Sequence, residues 1–581
     1  MRRMIILFWF VSALAQISAN GQSAYEVQAI SDLLGCDIEE TDSEDVERLY
    51  RLLKRQLQLN SAQLSELIAT GFISRYQAAS LTDYRNRNGY IMSYMELSSV
   101  NGFSETFVRK IQPFITLEVP SVIREGGTYN EILIRSAVKF NEREWGYSYD
   151  GRYGIEAHNT LKAAIGLSRS TDAATLKPDI LSGHLEWRCS DFPLKLILGD
   201  FNARFGQGSA IWNGLDMNSY NTPSSYMRRP SGITSSNSLT GKYANTGIAS
   251  ELSIGNWTVS ALFACPGIKQ SGKYPEKVRL MPGTNLTYLW SNGQAGLTHN
   301  LVFSGLTEQI HIPSMNTSAD IMLCIKGIDI FSEVAYDWIL RNISVTGGTV
   351  FPIGDSNDGA VRFKLNKNEY ILNCSSSSVA GKWIRMRGNK GSKRRIEGSL
   401  STEVTYYPIP KDDSQSHSIQ FKFHTQWEYA FTESLLMTVR LTERIRSWGM
   451  RFRTDIRSDL RYVSEHLSAA WRVNMLNCKG TAFLTYIDEG LIINKASMHL
   501  RQGLFFIDNW DDRIYAYEYD IPGSFNSPAY YGRGLWLSLM ATFRLTYDWK
   551  LYIRTGYTSY PFMKEKKPGK AELKLQTIYT F

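Results

Sequence analysis

The residues AELKLQTIYTF, 571 to 581, alternate strictly between two kinds of side chain. One face carries Leu573, Leu575, Thr577, Tyr579 and Phe581, and the other carries Glu572, Lys574, Gln576 and Thr580. A period of two residues predicts a β-strand, because successive side chains of a strand point to opposite faces of a sheet. An apolar face with an aromatic residue at its end is typical of a strand whose outer side meets lipid. For this segment alone, an ordinary sheet strand is the alternative.

This segment resembles the terminal strand by which bacterial outer-membrane barrels are targeted. The resemblance rests on the alternation and on the aromatic Phe581. It implies two partners: barrel-assembly machinery that recognises the strand ending in Phe581, and outer-membrane lipid around the folded protein.

The same alternation recurs upstream. Apolar residues at every second position mark residues 419–429, 535–547 and 549–557, and polar residues such as Gln420, Lys422 and His424 lie between them. A tight turn is expected near Asp548, and a longer polar loop is expected over residues 558–570. Strands with lipid outside and water inside, joined alternately by short turns and long loops, predict an outer-membrane β-barrel over residues 128–581. If each strand contains ~9 to 11 residues and is followed by a connection, we expect roughly 16 strands, within a range of about 14 to 20.

The chain begins with features of an export signal. Arg2 and Arg3 precede an apolar run, and the small residues Ala19 and Gly21 follow it, which predicts a signal peptide over residues 1–21. The six cysteines are widely spaced and the histidines are unpaired, so the sequence predicts no metal site and no cofactor.

Charge is distributed unevenly after the signal. Residues 23–47 contain nine acidic residues and no Lys or Arg, whereas residues 48–115 contain nine basic and four acidic residues. We therefore expect an acidic leader over residues 22–47, followed by a basic helical domain over residues 48–118.

The helical domain contains one unit used twice. Gly71-Phe72-Ile73-Ser74 and Asn101-Gly102-Phe103-Ser104 each form a predicted tight turn between two helices, and the turn glycines lie 31 residues apart (102 − 71). The stretches LNSAQLSELIATGF (59–72), YRNRNGYIMSYMEL (84–97) and VNGFSETFVRKIQPFI (100–115) resemble the tandem helix-hairpin-helix domain of the ComEA family of bacterial competence proteins. The expected fold class is thus α+β and multidomain: a small all-α tandem helix-hairpin-helix domain in the periplasm, then a transmembrane antiparallel β-barrel.

The resemblance implies non-specific DNA binding through phosphates, which such turns hold with backbone N–H groups at a helix N-terminus. Ile73 and Ser104 replace the second glycine of the family's turn, and the β-branched Ile73 crowds a phosphate more than Ser104 does. The basic residues would also suit a solvated helix face or an acidic docking partner. The candidate DNA-binding residues are Gly71, Gly102, Ser104, Arg75, Arg109 and Lys110.

A second group of basic residues is expected inside the barrel. A positively charged lumen wall would favour anions, although neighbouring Glu443, Asp455 and Asp459 would neutralise it in the alternative interpretation. The candidate lumen residues are Arg440, Arg444, Arg451, Arg453, Arg457 and Arg472.

The sequence contains no catalytic motif, so we expect no enzyme activity. Two functions stay open. The first is an outer-membrane barrel whose periplasmic helical domain binds DNA, as in competence and DNA uptake. The second is an outer-membrane pore or an envelope-assembly protein whose helical domain docks a protein partner or plugs the barrel.

Overall fold

The alternating segments form the strands of one closed antiparallel barrel in a computed structural model of the chain. The structure describes residues 24–34, 43–54, 56–62, 64–117, 128–141, 144–157, 160–169, 176–189, 192–213, 223–239, 244–266, 279–290, 292–304, 311–353, 357–383, 393–411, 417–432, 434–449, 452–464, 466–493, 495–524, 526–563, 565 and 567–581. The predicted signal peptide, residues 1–21, lies outside the described residues.

Short helices come before the barrel. They are α1 (Ala24–Leu34), α2 (Ser43–Lys54), α3 (Leu64–Ala69), α4 (Arg75–Asn88), α5 (Tyr94–Leu97) and α6 (Glu105–Ile111). A parallel pair of two-residue strands, β1 (Leu57–Gln58) and β2 (Ile115–Thr116), joins the two ends of this region. None of the described helices is long and apolar enough to cross a membrane.

Over the described residues, 24 strands close the barrel. The short β8 pairs only with the end of β7, which also pairs directly with β9. These 24 strands, with the short β8 in addition, are β3 (Thr128–Asn141), β4 (Glu144–Ala157), β5 (Leu161–Arg169), β6 (Ile180–Arg188), β7 (Leu194–Arg204), β8 (Gly232–Ser235), β9 (Asn245–Ile254), β10 (Trp257–Pro266), β11 (Arg279–Trp290), β12 (Gly293–Ser304), β13 (His311–Ile325), β14 (Ile328–Asp337), β15 (Asn342–Ile353), β16 (Asn357–Leu365), β17 (Tyr370–Trp383), β18 (Lys393–Tyr407), β19 (Ser418–Ala430), β20 (Leu435–Arg446), β21 (Phe452–Val463), β22 (Leu467–Asn477), β23 (Thr481–Ile493), β24 (Ala496–Ile507), β27 (Gly532–Arg544), β28 (Trp549–Ser559) and β29 (Lys570–Thr580).

The barrel closes where β29 pairs with β3. Leu575 lies opposite Ser136 in this register, and Phe581 exchanges backbone hydrogen bonds of 2.9 and 3.0 Å with Asn130. Two short strands, β25 (Ile514–Tyr515) and β26 (Ala529–Tyr530), form a separate hairpin between β24 and β27. Closure leaves no open sheet edge, which a lipid environment does not tolerate.

The predicted fold class is wrong in two respects. The barrel has 24 strands rather than roughly 16, because many connections are as short as Gly255-Asn256 and Lys326-Gly327 and leave room for more strands. The helices also do not form an independent tandem domain beside the barrel. Buried residues of every helix from α1 to α6 share one hydrophobic cluster with Tyr517, which belongs to the segment between β25 and β26. The helices therefore pack against the segment that follows β25 instead of forming a separate domain.

Candidate functional site

The barrel wall has two chemically different faces. Along β14, for example, Ile330 and Val334 are exposed on the outside while Glu333 is 1% exposed on the inside. Exposed tryptophans lie near the ends of several strands: Trp145, Trp187, Trp257, Trp338 and Trp549. An apolar exterior with aromatic residues at its rims and a polar interior is the arrangement required by lipid outside and water or protein inside. The chain is thus an outer-membrane β-barrel protein.

Three parts of the chain lie inside the wall and form the candidate site. They are the helices α1 to α6, the described residues of the inner segment 205–239 between β7 and β9, and the described residues of the inner segment 508–531 between β24 and β27. The described side chains of these parts contact the inward-facing residues of the strands, as the following pairs show. We call the helices together with β1 and β2 the plug.

Charged pairs connect the plug to the wall. Asp45 of α2 lies 2.9 Å from Arg204 at the end of β7, and Glu47 of α2 lies 3.3 Å from Arg152 of β4. Burial alone would raise the pKa of both carboxyl groups, but Arg204 for Asp45 and Arg152 for Glu47 hold each pKa below its usual value. Both acids are therefore ionised at neutral pH and attract the wall.

Helix α4 makes the third charged contact. The Arg75 guanidinium forms an ion pair with Glu251 of β9, and the Arg75 side chain is buried while that of Glu251 is 13% exposed. Glu251 also accepts from Lys195 of β7 at 2.9 Å. Removing one partner of such a buried pair leaves an uncompensated charge, which is more costly than losing an exposed pair. This contact therefore fixes the start of α4 against the wall.

Tyr76, the next residue of α4, makes the main apolar contact with the wall. Its ring is 1% exposed and packs in one cluster with Met227 of the inner segment 205–239 and with Leu289 and Phe331 of the wall. Its hydroxyl donates to Asp329 at 3.1 Å. Tyr76 thus fills a hollow in the inner face of the barrel.

The inner segment 508–531 is held by a network of buried charges. Arg554 of β28 pairs with Glu518 at 2.5 Å, and Lys574 of β29 pairs with Asp520 at 2.6 Å. Burial would raise the pKa of Asp520, but Lys574 and Arg554 lower it. Since Tyr517 also belongs to the core of the plug, this segment joins the plug to β28 and β29 of the wall.

The inner segment 205–239 wraps around a wall carboxylate. Glu333 of β14 accepts from the backbone N–H groups of Gln207 at 2.7 Å and Ser209 at 2.9 Å. Gln207 and Arg228 exchange hydrogen bonds of 3.0 and 3.1 Å between side chain and backbone. The start of the segment is therefore tied both to the wall and to Arg228 further along the segment.

The structure places the predicted DNA-binding turns against other parts of the chain. Gly71 and Gly102 have φ of +77° and +85°, as the predicted turns require, but a Cβ on Gly71 would lie 2.5 Å from Arg48 and one on Gly102 would lie 2.6 Å from the Tyr76 hydroxyl. Ser104 caps α6 by accepting from the Phe107 N–H at 3.2 Å. The outer sides of both turns are thus covered in this state.

The predicted basic residues of the DNA site do not form one surface. Arg75 is buried in its pair with Glu251, whereas Arg109 is exposed and pairs with Glu105 at 3.2 Å. Burial lowers the pKa of Lys110, and nearby Asp32 and Asp358 oppose that change. DNA binding by these residues stays a prediction.

The predicted lumen arginines lie on the inward phase of β20 to β22, where the structure describes them. Arg457 and Arg472 both pair with Asp459, at 2.7 and 2.5 Å, so these two charges share one neutralising partner. Arg453 donates to the backbone oxygen of Asp511 at 2.7 Å, and Arg440 donates to Gln426 at 3.2 Å. Arg444 is half-buried, and Arg451 lies outside the described residues.

Sequence reasoning missed the residues that hold the plug: Asp45, Glu47, Arg152, Arg204, Glu251 and Asp329. The acidic leader was recognised, but its partners lie 105 residues away for Glu47 and 159 for Asp45. The sequence holds only a partial local signal for these residues: charged side chains at the inward-facing positions of strands that alternate between apolar and polar residues. Among the described residues, no group of three or more His, Cys, Asp or Glu side chains could hold a metal ion.

No protein-family model and no curated protein matches the sequence. The resemblance of residues 59–115 to the ComEA family is therefore not confirmed. Solved structures that align with the chain include the siderophore receptor PirA from Pseudomonas aeruginosa, at 9% identity and a TM-score of 0.41, over 78% of this chain and 80% of that one. The P pilus usher (PapC) translocation pore aligns at 8% identity and a TM-score of 0.30, over 78% of this chain and 99% of that one. OccAB2 from Acinetobacter baumannii aligns at 7% identity and a TM-score of 0.28, over 78% of this chain and 98% of that one. Scores this low carry no argument about function.

Proposed function

We propose that this protein is a gated conduit of the outer membrane, closed at rest by its own N-terminal plug. The observation that carries the proposal is the set of plug-to-wall contacts: Asp45 with Arg204, Glu47 with Arg152, Arg75 with Glu251 and Tyr76 with Asp329. These contacts reach β7, β4, β9 and β14, so the plug is attached to separate parts of the wall.

The chemistry of the interface favours a plug that moves. Three of the four contacts are ion pairs, and the apolar contact centres on one aromatic side chain, Tyr76. Interfaces of this polar kind allow one part of a chain to move relative to another, whereas a large hydrophobic interface holds both parts together. When the plug leaves the wall, the charged groups of these pairs would contact water or the charges of a partner instead. The free-energy cost of that exchange is smaller than the cost of unfolding a strand.

The orientation follows from the connections. Strand β3 begins and β29 ends at the same end of the barrel as the short turns at residues 255–256 and 326–327. Short turns lie on the periplasmic side in outer-membrane barrels, so the plug enters the barrel from the periplasm. Asn101 lies 3.2 Å from Asn292 at one of these turns, and this contact supports a position of the start of α6 at the periplasmic mouth.

DNA binding is not part of this proposal, since Arg75 and the two turn glycines contact the chain itself. No catalytic role is proposed either. Recognition of the strand ending in Phe581 by barrel-assembly machinery remains part of the proposal, and the exposed Phe581 ring, stacked on Tyr579 at 5.4 Å between centroids, supports it.

Conductance in planar bilayers tests the gate. We expect the purified full chain to show little conductance and a variant without residues 24–117 to show large, stepwise conductance. Mobility that changes on heating in detergent gels confirms that each barrel is folded. A folded variant without the plug that conducts no better than the full chain would overturn the proposal.

A further inference from the structure

A polar cavity lies between the inner segment 205–239 and the wall, away from the plug contacts. Its volume is about 260 Å³. Gln207, Gly208, Ser209 and Arg228 form one side, and the other side is formed by residues of β15, β16 and the β16–β17 turn: Asn342, Ser344, Thr346, Arg362, Lys364, Asn366 and Asn368. Because the β16–β17 turn belongs to the long-loop end of the barrel, the cavity lies toward the cell exterior.

Strand alternation explains why the wall side is polar. On β15, Asn342, Ser344 and Thr346 line the cavity while Ile343 is exposed on the outer face. On β16, Arg362 and Lys364 line the cavity, and Phe363 and Leu365 face outward. The register pairs Thr346 with Lys364, so hydroxyl, amide and cationic groups of both strands meet at one place.

The charged residues that line the cavity are all cations. They are Arg228, Arg362 and Lys364, of which Lys364 also pairs with Glu369 of the β16–β17 turn at 3.1 Å. Arg228 lies over the Trp212 ring, 4.9 Å from its centroid, which holds its guanidinium in place. Burial, followed by the charge of Arg362, lowers the pKa of Arg228 to about 10, against the opposing effect of Glu333. Arg228 is still protonated at neutral pH, and it is repelled by its neighbour.

We propose that this cavity binds a small oxyanion, a phosphate or carboxylate group, between Arg228, Arg362 and Lys364. Guanidinium groups bind such groups with directed, charge-assisted hydrogen bonds. The surrounding Asn, Ser and Thr side chains supply further donors for the other oxygens of the solute. The volume is just below the ~300–1,000 Å³ of pockets for drug-sized ligands, so the ligand is small. Binding here does not require the plug to move, and the proposal goes beyond the gated conduit.

Isothermal titration calorimetry on the full chain in detergent tests the proposal, with inorganic phosphate, citrate and neutral glucose as probes. We expect phosphate or citrate to bind and glucose to give no heat, and the stronger of the two anions identifies the preferred group. Arg362→Gln and Lys364→Gln should each weaken anion binding about tenfold, as expected for a lost hydrogen bond between charged groups.

Arg87→Gln is the matched control, since it removes the same charge from an exposed helical residue that pairs with Asp83. It should bind the anion like the unmodified protein. Lys364 lies at the half-buried rim and pairs with Glu369 at 3.1 Å, so its variant stays informative if Arg362→Gln does not fold. The proposal is overturned if neither anion binds, if glucose binds equally well, or if the folded variants bind like the control. The calorimetric test does not measure conductance. Its result therefore does not depend on whether the plug gates the barrel.

Discussion

The Glu47 carboxylate of helix α2 accepts a hydrogen bond of 3.3 Å from the Arg152 guanidinium of strand β4. Arg152 also donates to Glu131 of β3 at 2.9 Å. One wall arginine therefore binds the plug through one terminal nitrogen and the neighbouring strand through the other.

Replacing Glu47 with Gln should loosen the plug without unfolding the barrel. We expect docking of α2 to weaken by about 1–3 kcal/mol, the cost of losing a hydrogen bond with a charged partner, because Arg152 keeps Glu131. Hydrogen exchange of residues 43–54 measures the change. Glu105→Gln is the matched control, because the exposed Glu105–Arg109 pair should contribute nothing measurable. Equal exchange in both variants would contradict the role of Glu47.

The same carboxylate predicts how the plug responds to acid. The pKa of Glu47 is lowered from its ordinary value of 4.5 in the folded state, chiefly by Arg152 acting against burial. A lowered pKa means that the stabilisation is fully present above about pH 4.5 and is lost as the pH falls through the lower, folded value. Conductance of the full chain should therefore rise only below about pH 4.5. An Asp45→Asn, Glu47→Gln double variant should respond less to acid, and an unchanged response would count against this assignment.

Tyr76 should anchor the plug mainly through its ring. Tyr76→Ala removes a fully buried aromatic side chain, at a cost of about 3–5 kcal/mol, whereas Tyr76→Phe loses only the hydrogen bond to Asp329, about 1 kcal/mol. Trypsin cleavage after Arg85 or Arg87 measures how far α4 leaves the wall. We expect rapid cleavage in Tyr76→Ala and slow cleavage in Tyr76→Phe. Similar rates in the two variants would show that the ring does not hold the helix.

Gly102 should tolerate no side chain while the plug is docked. A Cβ there combines a φ of +85° with an approach of 2.6 Å to the Tyr76 hydroxyl, whereas Gly89 has the same φ with nothing within 4 Å. Both Gly→Ala variants bear the strain of a positive φ, about 1–3 kcal/mol, and only Gly102→Ala adds the close contact with Tyr76. Hydrogen exchange of α4 should rise more in Gly102→Ala. Equal increases in the exchange of α4 in the two variants would show that Tyr76 does not lie against Gly102.

The local elements of this protein could be predicted from its sequence. The alternation in 419–429 falls within β19, that in 571–580 falls within β29, and Gly71 and Gly102 have the positive φ that the predicted turns require. Each of these features depends on neighbouring residues. The strand count could not be predicted, because segments such as Asn373 to Ser378 of β17 lack an apolar outer row that marks a strand.

The position of the plug could not be predicted for a different reason. It depends on pairs such as Asp45 with Arg204 and Tyr76 with Asp329, whose partners are far apart in sequence. Nothing in the basic composition of residues 48–115 distinguishes a surface that binds phosphate from one that contacts a barrel wall. A charged side chain on the inward phase of a strand indicates that something faces it, but not what.

A reversible tether between plug and wall tests the central claim most directly. The side-chain amides of Asn101 and Asn292 lie 3.2 Å apart. Because a direct disulfide needs the Cβ atoms themselves within about 4.5 Å, cysteines at both positions, with the native cysteines replaced by serine, are oxidised in the presence of a short dithiol spacer and joined through it by disulfides. In the presence of the Asp45→Asn, Glu47→Gln changes that loosen the plug, we expect the oxidised protein to stay closed in a planar bilayer and the reduced protein to conduct. Equal conductance before and after reduction, with the disulfides shown to form, would contradict the claim that the N-terminal helices gate this barrel.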